Sequence, residues 1–420
     1  MAKLRIEGGR PLSGTATVDG NKNAALPLLA ACLLTDQECV LHNVPQIRDV
    51  EVMANLLVGL GATVEGLGGP TLRIRCARVT TDEPDPRLVG MLRGSVLLLG
   101  PLLARRGRAH LAPPGGDFPA RRTLATHLQA LMAMGAVAGA DGGGHRLEVP
   151  DGLLATSIYL DEASVTGTET ALLAAAAAPG RTEIRHAACE PHVAELCQFL
   201  RQLGVGIEGE GTSTIDVEGG GRLRGAEHTL SGDYIEAGSW AVVAAVTGGS
   251  IDVRGARALD VEPIAHVLTQ MAVRCRVEEG QFSIEPSRPV AARRITTGLW
   301  PSFPSDMVSL VTVLATQAEG KTLVHDWMYE LRLFALEQLS AMRADFFLCD
   351  PHRIIVTGRT SLRGRSLDSR DLRSGMALIA AALAAEGESV ISPLETVERG
   401  YASVVERLRA IGARVEREED

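Results

Sequence analysis

The chain has 420 residues, 45% of them hydrophobic and 22% charged, with 45 glycines and a formal net charge of -9. That length favours two domains over one. The acidic balance, with a pI near 5.7, excludes nucleic-acid binding through a broad basic surface, although local clusters of arginine could still hold an anion.

The start, Met-Ala-Lys-Leu-Arg-Ile-Glu-Gly-Gly, lacks the hydrophobic region of a signal peptide, and no apolar run approaches the roughly 20 residues of a spanning helix. A cytoplasmic protein without membrane contact is expected. Seven cysteines (Cys32, Cys39, Cys76, Cys189, Cys197, Cys275 and Cys349) are odd in number and scattered. With no Cys-x-x-Cys pair, they point to reduced thiols and to neither a disulfide framework nor a zinc site.

Along the chain one pattern recurs. At the end of an apolar, helix-period stretch stand Leu-Gly-Ala-Thr-Val around Gly61, Met-Gly-Ala-Val around Gly135, Leu-Gly-Val-Gly-Ile around Gly204 and Ile-Gly-Ala-Arg-Val around Gly412. Degenerate copies at Val273 and Arg343 fill the gap, giving successive spacings of 74, 69, 69, 70 and 69 residues. Six units of this size span the chain. Each reads as an Ala/Leu-rich helix, a short β-branched strand, a turn, a second amphipathic helix closed by glycine, and a further strand. About four short strands per unit make an α/β fold. The first helices of the units, such as Asn23 to Leu34, Val165 to Ala178 and Met376 to Ala385, have too little polar surface to face water and are expected inside. A purely structural repeat array is the alternative, but the loops between the helices differ sharply, and they differ in charged residues.

Charged and polar residues collect at predicted helix starts. In chain order these are Gly20-Asn-Lys-Asn23, Arg93-Gly-Ser95, Pro304-Ser-Asp306 and Asp371-Leu-Arg-Ser374. Lys22, Arg93 and Arg373 beside free N-H groups would compound an attraction for anions. Asp306 reads either as a helix cap or as a base that takes a proton from a hydroxyl. Arg332 in Tyr329-Glu-Leu-Arg332 and Arg399 in Val397-Glu-Arg-Gly-Tyr401 either join the anion-binding set or pair with Glu330 and Glu398.

The stretch Ala112-Pro-Pro-Gly-Gly-Asp-Phe-Pro-Ala-Arg-Arg122 sets Asp117 after two glycines and before Arg121 and Arg122. Gly115 and Gly116 permit close approach of a ligand, and Pro113, Pro114 and Pro119 restrict the loop. It is either a polar surface turn or a lid, residues 112 to 122, that closes over a phosphorylated substrate.

Gly20-Asn-Lys-Asn-Ala-Ala-Leu-Pro27, His42-Asn-Val-Pro45 with Arg48-Asp49, Leu99-Gly-Pro-Leu-Leu-Ala-Arg105, Pro114-Gly-Gly-Asp117, Phe303-Pro-Ser-Asp306, Asp371-Leu-Arg373 and Arg399-Gly-Tyr401 together resemble the UDP-N-acetylglucosamine 1-carboxyvinyltransferases, a family of enolpyruvyl transferases. The resemblance runs the length of the chain. It implies a two-domain inside-out α/β barrel of six βαβαββ-type repeats, three per domain. Residues 22-230 would form one domain, and 1-21 with 231-420 the other, with the active site in the cleft between them.

The same resemblance implies phosphoenolpyruvate and UDP-N-acetylglucosamine as substrates, with no cofactor, no metal and no obligate protein partner. Lys22, Arg122 and Arg399 would hold the phosphate and carboxylate of phosphoenolpyruvate, and Arg93, Arg332 and Arg373 would complete the cationic set. Asn23, Ser164, Val165, Glu190 and Asp306 would face the UDP-sugar, with Asp306 taking the hydroxyl proton. Asp117 stands where many relatives carry the cysteine alkylated by fosfomycin, so an active but fosfomycin-insensitive enzyme is expected.

Departures cluster on the nucleotide side. Thr123-Leu-Ala-Thr-His127 replaces Pro-x-Asp-x-His, Ser164-Val-Thr-Gly-Thr168 replaces Ser-Val-Gly-Ala-Thr, Glu162 stands for a common lysine, and Leu331 for an asparagine. They leave two competitors: an enolpyruvyl transferase for another acceptor, such as a nucleotide, and a catalytically silent paralogue that binds a UDP-sugar.

Overall fold

The computed structural model describes residues 2–115, 123–139, 143–330 and 332–419. It divides into two compact units, Met1–Asp19 with Gly232–Asp420, and Gly20–Ser231.

The repeat has a common physical signature. In all six copies the helix closes with a residue at positive φ: Gly61 (104°), Gly135 (94°), Gly204 (110°), Ala272 (57°), Arg343 (73°) and Gly412 (89°). Each makes the same two bonds of a Schellman closure; around Gly61 they are Gly61 N to Val58 O at 3.0 Å and Ala62 N to Leu57 O at 3.0 Å. The fourth copy makes them as Ala272 N to Thr269 O at 2.9 Å and Val273 N to Leu268 O at 3.0 Å. The left-handed residue of that copy is therefore Ala272, one before the Val273 expected from spacing. A copy without glycine leaves no marker of register in the sequence.

Each unit carries three small sheets. Five have four strands, and the sixth, Arg108–Leu111 with His145–Glu148 and Val137–Gly139, has three. In that sheet the place of a parallel strand is taken by the single bond from His110 N to Asp82 O, 2.9 Å. Three crossovers run uninterrupted as strand, buried helix, parallel strand; one is Ser157–Tyr159, Val165–Ala175 and Gly180–Arg185. At the two passages between units the crossovers exchange partners. Ser13–Thr17 precedes helix Lys22–Ala31 but pairs in parallel with Ser250–Arg254. Glu227–Thr229 precedes helix Tyr234–Thr247 but pairs in parallel with Cys39–His42. Sheet completion in both units thus requires the chain to pass twice.

The first helices of the repeats lie inside. Every residue of Val308–Gln317 is buried, as are all but one of Leu372–Ala384. The stretch expected as one helix to Leu34 is an α-helix, Lys22–Ala31, followed by a 3-10 turn, Cys32–Leu34. The second helix of the fifth repeat is a 3-10 helix, Arg332–Ser340. No described helix is long and apolar enough to cross a membrane.

Candidate active site

In unit Gly20–Ser231, Asn21 caps helix Lys22–Ala31. Its Oδ1 accepts from Asn23 N at 2.8 Å and Ala24 N at 3.2 Å, which sets Lys22 and Asn23 in the first turn. Lys22 Nζ lies 2.8 Å from Asp49 Oδ2, with side chains only 11% and 4% exposed. Asp49 was visible in the sequence only as a member of a motif; its role as counter-ion appears in the fold.

Arg93 opens the 3-10 helix Arg93–Leu98, and its Nη2 donates to Thr123 O at 2.9 Å. Gly115 N donates to Val89 O at 3.0 Å, and a Cβ on Gly115 would come within 2.2 Å of Gly90 O. The close approach expected of Gly115 toward a ligand is therefore made to the Gly90 backbone. Both described flanks of the candidate lid are tied to the 89–93 turn. Asp117, Arg121 and Arg122, with Gly116 and Pro119, lie outside the described residues, as does Leu331.

Ser164 is the N-cap of Val165–Ala175, its Oγ accepting from Gly167 N at 3.2 Å. Val165 is the first residue of that helix, and Glu190 occupies the cap position of Pro191–Leu203 without a side-chain cap bond. Glu169, on the same helix as Val165, is 1% exposed. Burial, and then the Glu190 charge, push its carboxyl well above the usual range.

Residues at or beside the departures from the family pattern are hydrogen-bonded in two groups. Glu162 Oε1 accepts from Thr126 Oγ1 at 3.2 Å. His127 Nε2 meets Thr166 Oγ1 at 3.2 Å, and its Nδ1 meets Thr170 Oγ1 at 2.9 Å. Burial, with Arg93 adding repulsion, pushes His127 down to about 3, so the ring is neutral. Ala125, in the position of the missing aspartate, is the first residue of helix Ala125–Ala133.

In the other unit Asp306 sits in the 3-10 turn Ser305–Met307 ahead of Val308–Gln317. The cap reading gives way: Met307 holds the cap position, without a side-chain cap bond, and the Asp306 carboxylate turns to two guanidiniums. Oδ1 is 3.0 Å from Arg332 Nη1; Oδ2 is 2.9 Å from Arg373 Nη2 and 3.1 Å from its Nε. Arg332 thus pairs with Asp306, the alternative to Glu330, and also donates to Ser305 Oγ at 2.9 Å. Beneath it lies Asp326, 0% exposed, which accepts from Ser305 Oγ at 2.8 Å and Thr297 Oγ1 at 2.7 Å. That support had no local signature in the sequence.

Arg373 is fixed from both directions. The Asp371 cap accepts its backbone N at 3.0 Å, and Arg373 Nη1 donates to Tyr401 Oη at 3.3 Å. Burial works against the charges of Arg373 and Arg332, yet Asp306, joined by Tyr401 and Asp233 around Arg373 and by Tyr329, Asp326 and Asp371 around Arg332, together more than offset it, and both are raised above the usual guanidinium value. Arg399 is half-buried at the end of the short helix Glu395–Glu398. Glu398, its alternative partner, is paired with Arg417.

Among the described residues no group of three or more His, Cys, Asp or Glu side chains converges as a metal site would require. At Asp306 one carboxylate converges with two guanidiniums. Such a set binds an anion when one arrives and has a carboxylate at hand to take a proton.

The model of EPSP synthase (3-phosphoshikimate 1-carboxyvinyltransferase) matches residues 6–408 of the chain. A UDP-N-acetylglucosamine 1-carboxyvinyltransferase of Treponema denticola is 40% identical over 427 residues, covering 100% of both chains. The Bradyrhizobium diazoefficiens protein of that name is 42% identical over 421 residues, covering 98% of this chain and 97% of the relative. Among solved structures, the enolpyruvyl transferase NikO from Streptomyces tendae aligns with a TM-score of 0.89 at 24% identity, over 99% of this chain and 98% of its own. EPSP synthase from Acinetobacter baumannii aligns with a TM-score of 0.76 at 20% identity, over 100% of both chains. These two likenesses are of fold.

Proposed function

Since the chain belongs to the enolpyruvyl transferase family of EPSP synthase and the UDP-N-acetylglucosamine 1-carboxyvinyltransferases, we propose that it moves the enolpyruvyl group of phosphoenolpyruvate to the 3-hydroxyl of UDP-N-acetylglucosamine, releasing phosphate. That is the first committed step of peptidoglycan synthesis, a reaction of the cytoplasm. The observation that carries the reading is identity of about two residues in five along the whole chain with relatives of that name.

The chemistry is addition followed by elimination. The sugar 3-hydroxyl oxygen bonds to C2 of phosphoenolpyruvate as Asp306 takes its proton and C3 gains one, giving a tetrahedral intermediate. C3 then returns a proton, the bond from C2 to the phosphate oxygen breaks, and the enolpyruvyl ether and phosphate leave. Asp117 is the acid for C3; a closed, dry lid would lift its carboxyl toward neutrality.

Lys22, Arg122 and Arg399 take the phosphate and carboxylate, and Arg93, Arg332 and Arg373 complete the cationic set. Planar guanidiniums suit groups that stay anionic throughout. Asn23, Ser164, Val165 and Glu190 face the UDP-sugar. Asp306 is engaged by two arginines in the free protein, so incoming anions take its place on those guanidiniums and free the base together with its substrate.

A second acceptor class, a nucleotide of another pathway, rests on the departure at Glu162, where a carboxylate bonded to Thr126 stands for a common lysine. The experiment is phosphate release from phosphoenolpyruvate with UDP-N-acetylglucosamine, UMP or shikimate 3-phosphate, each with and without fosfomycin. Turnover with the UDP-sugar, unaffected by the drug, supports the reading and the role of Asp117. Release with UMP alone moves the acceptor, rapid stoichiometric inactivation by fosfomycin removes the argument from Asp117, and no release with any acceptor leaves a binding paralogue.

A further inference from the structure

Behind Arg373 lies a pair of side chains that the mechanism does not use. Ser239 and Tyr401 are 0% and 1% exposed, and their oxygens are 2.8 Å apart. Ser239 Oγ is 2.7 Å from the carbonyl oxygen of Ile235, which can only accept, so the serine proton is committed there. Tyr401 must then donate to Ser239 Oγ, and a lone pair of its oxygen remains for Arg373 Nη1 at 3.3 Å. The bonds run with one polarity from Arg373 through Tyr401 and Ser239 to the Ile235 carbonyl. Burial pushes the phenol up, which keeps its proton in place.

The two anchors of Arg373 differ in kind. On one side Nε and Nη2 meet the Asp306 carboxylate, whose side chain is 27% exposed and open to exchange with a substrate anion. On the other side Nη1 meets a buried neutral oxygen that no ligand displaces. We propose that Tyr401 and Ser239 are positioning residues for the transfer reaction: they keep the Arg373 guanidinium aimed while its Asp306 contact is exchanged for an anionic group of phosphoenolpyruvate. The inference rests on the functional reading above, in which Arg373 belongs to the phosphoenolpyruvate-binding set.

The test compares parent, Tyr401→Phe and Ser239→Ala. Phenylalanine keeps the ring and removes the acceptor, leaving a buried N-H without a partner, a loss of roughly ten-fold or more where that arginine binds. The expected result is a KM for phosphoenolpyruvate raised about ten-fold, with the KM for UDP-N-acetylglucosamine and the thermal midpoint little changed. Ser239→Ala, which frees the phenol to rotate, shows the same selectivity at smaller size and serves alone if Tyr401→Phe does not fold. Unchanged constants, or equal rises in both KM values, overturn the proposal. If the parent itself releases no phosphate, the functional reading fails. The positioning pair is then judged from crystal structures of parent and variant: Arg373 undisturbed against Asp306 in the variant overturns it, and Arg373 displaced supports it.

Discussion

Asp306 Oδ2 lies 2.9 Å from Arg373 Nη2 while Oδ1 lies 3.0 Å from Arg332 Nη1, so one carboxylate balances two guanidiniums that are nearly out of water. Asp306→Asn keeps the shape and removes both the base and the balancing charge. Loss of a general base lowers kcat by about 10²- to 10⁴-fold. Phosphate-release rates for parent and variant check this, and a variant within a factor of two of the parent contradicts the assigned role.

Lys22 and Asp49 are a nearly buried pair at 2.8 Å, and truncating one partner leaves the other's charge poorly solvated. Asp49→Ala should destabilise unit Gly20–Ser231 by about 3 kcal/mol. It should also weaken phosphoenolpyruvate binding, because Lys22 loses the group that aims it. Urea denaturation and a titration with phosphoenolpyruvate measure the two effects, and an Asp49→Ala protein as stable as the parent refutes the first.

Two buried groups titrate with opposite sign. Burial, with Asp233 and Asp19 adding to it against Arg407, pushes Glu236 up to about 7 from 4.5. Between those values the folded protein holds a proton that the unfolded chain has released, so this contribution is present below pH 4.5 and lost as pH rises through 7, about 3 kcal/mol in all. His127 behaves in reverse: with its folded value near 3 against 6.5, the unfolded chain binds the extra proton. Its contribution is present above pH 6.5 and lost as pH falls toward 3, at up to about 1.4 kcal/mol per pH unit. From pH 4.5 to 6.5 the two slopes oppose each other. Glu236→Gln should therefore make stability climb more steeply with pH in that window, and His127→Gln should make it fall. Denaturation at pH 5, 6 and 7 separates them, and parallel curves for all three proteins contradict the account.

The left-handed closures can be improved. Ala272 and Arg343 hold φ values of 57° and 73° where the other four copies have glycine. Ala272→Gly relieves the strain at an exposed site, with an expected gain of about 0.5–1 kcal/mol after the larger entropy of the unfolded glycine is subtracted. Gly412→Ala, where an added Cβ meets nothing within 4 Å, should lose a similar amount from backbone strain alone. Thermal unfolding reads both, and a destabilised Ala272→Gly would contradict the shared closure.

What could be read in advance follows from how local its cause is. The glycines at 61, 135, 204 and 412 are forced by single left-handed backbone positions, so the repeat was visible as spacing. Where Ala272 bears that strain instead, the register slipped by one residue. The buried helices were evident from composition, but the 3-10 character of Arg332–Ser340 was not, because its apolar residues fit a helical period either way. At the site, the arginines and Asp306 were legible as charged residues at helix starts. Their pairing was not: Asp306 finds Arg332 and Arg373 across 26 and 67 residues, a distance that no local rule spans. The pairings of Asp49, Asp326 and Tyr401 were hidden for the same reason, since a buried polar partner acquires its meaning only from the group it satisfies.

The most direct measurement is the proton spectrum of the product formed from phosphoenolpyruvate and UDP-N-acetylglucosamine. The expected product shows a pair of vinyl protons on an ether at the sugar 3-oxygen, appearing in step with free phosphate. An unchanged sugar, with phosphoenolpyruvate intact or merely hydrolysed, would contradict it.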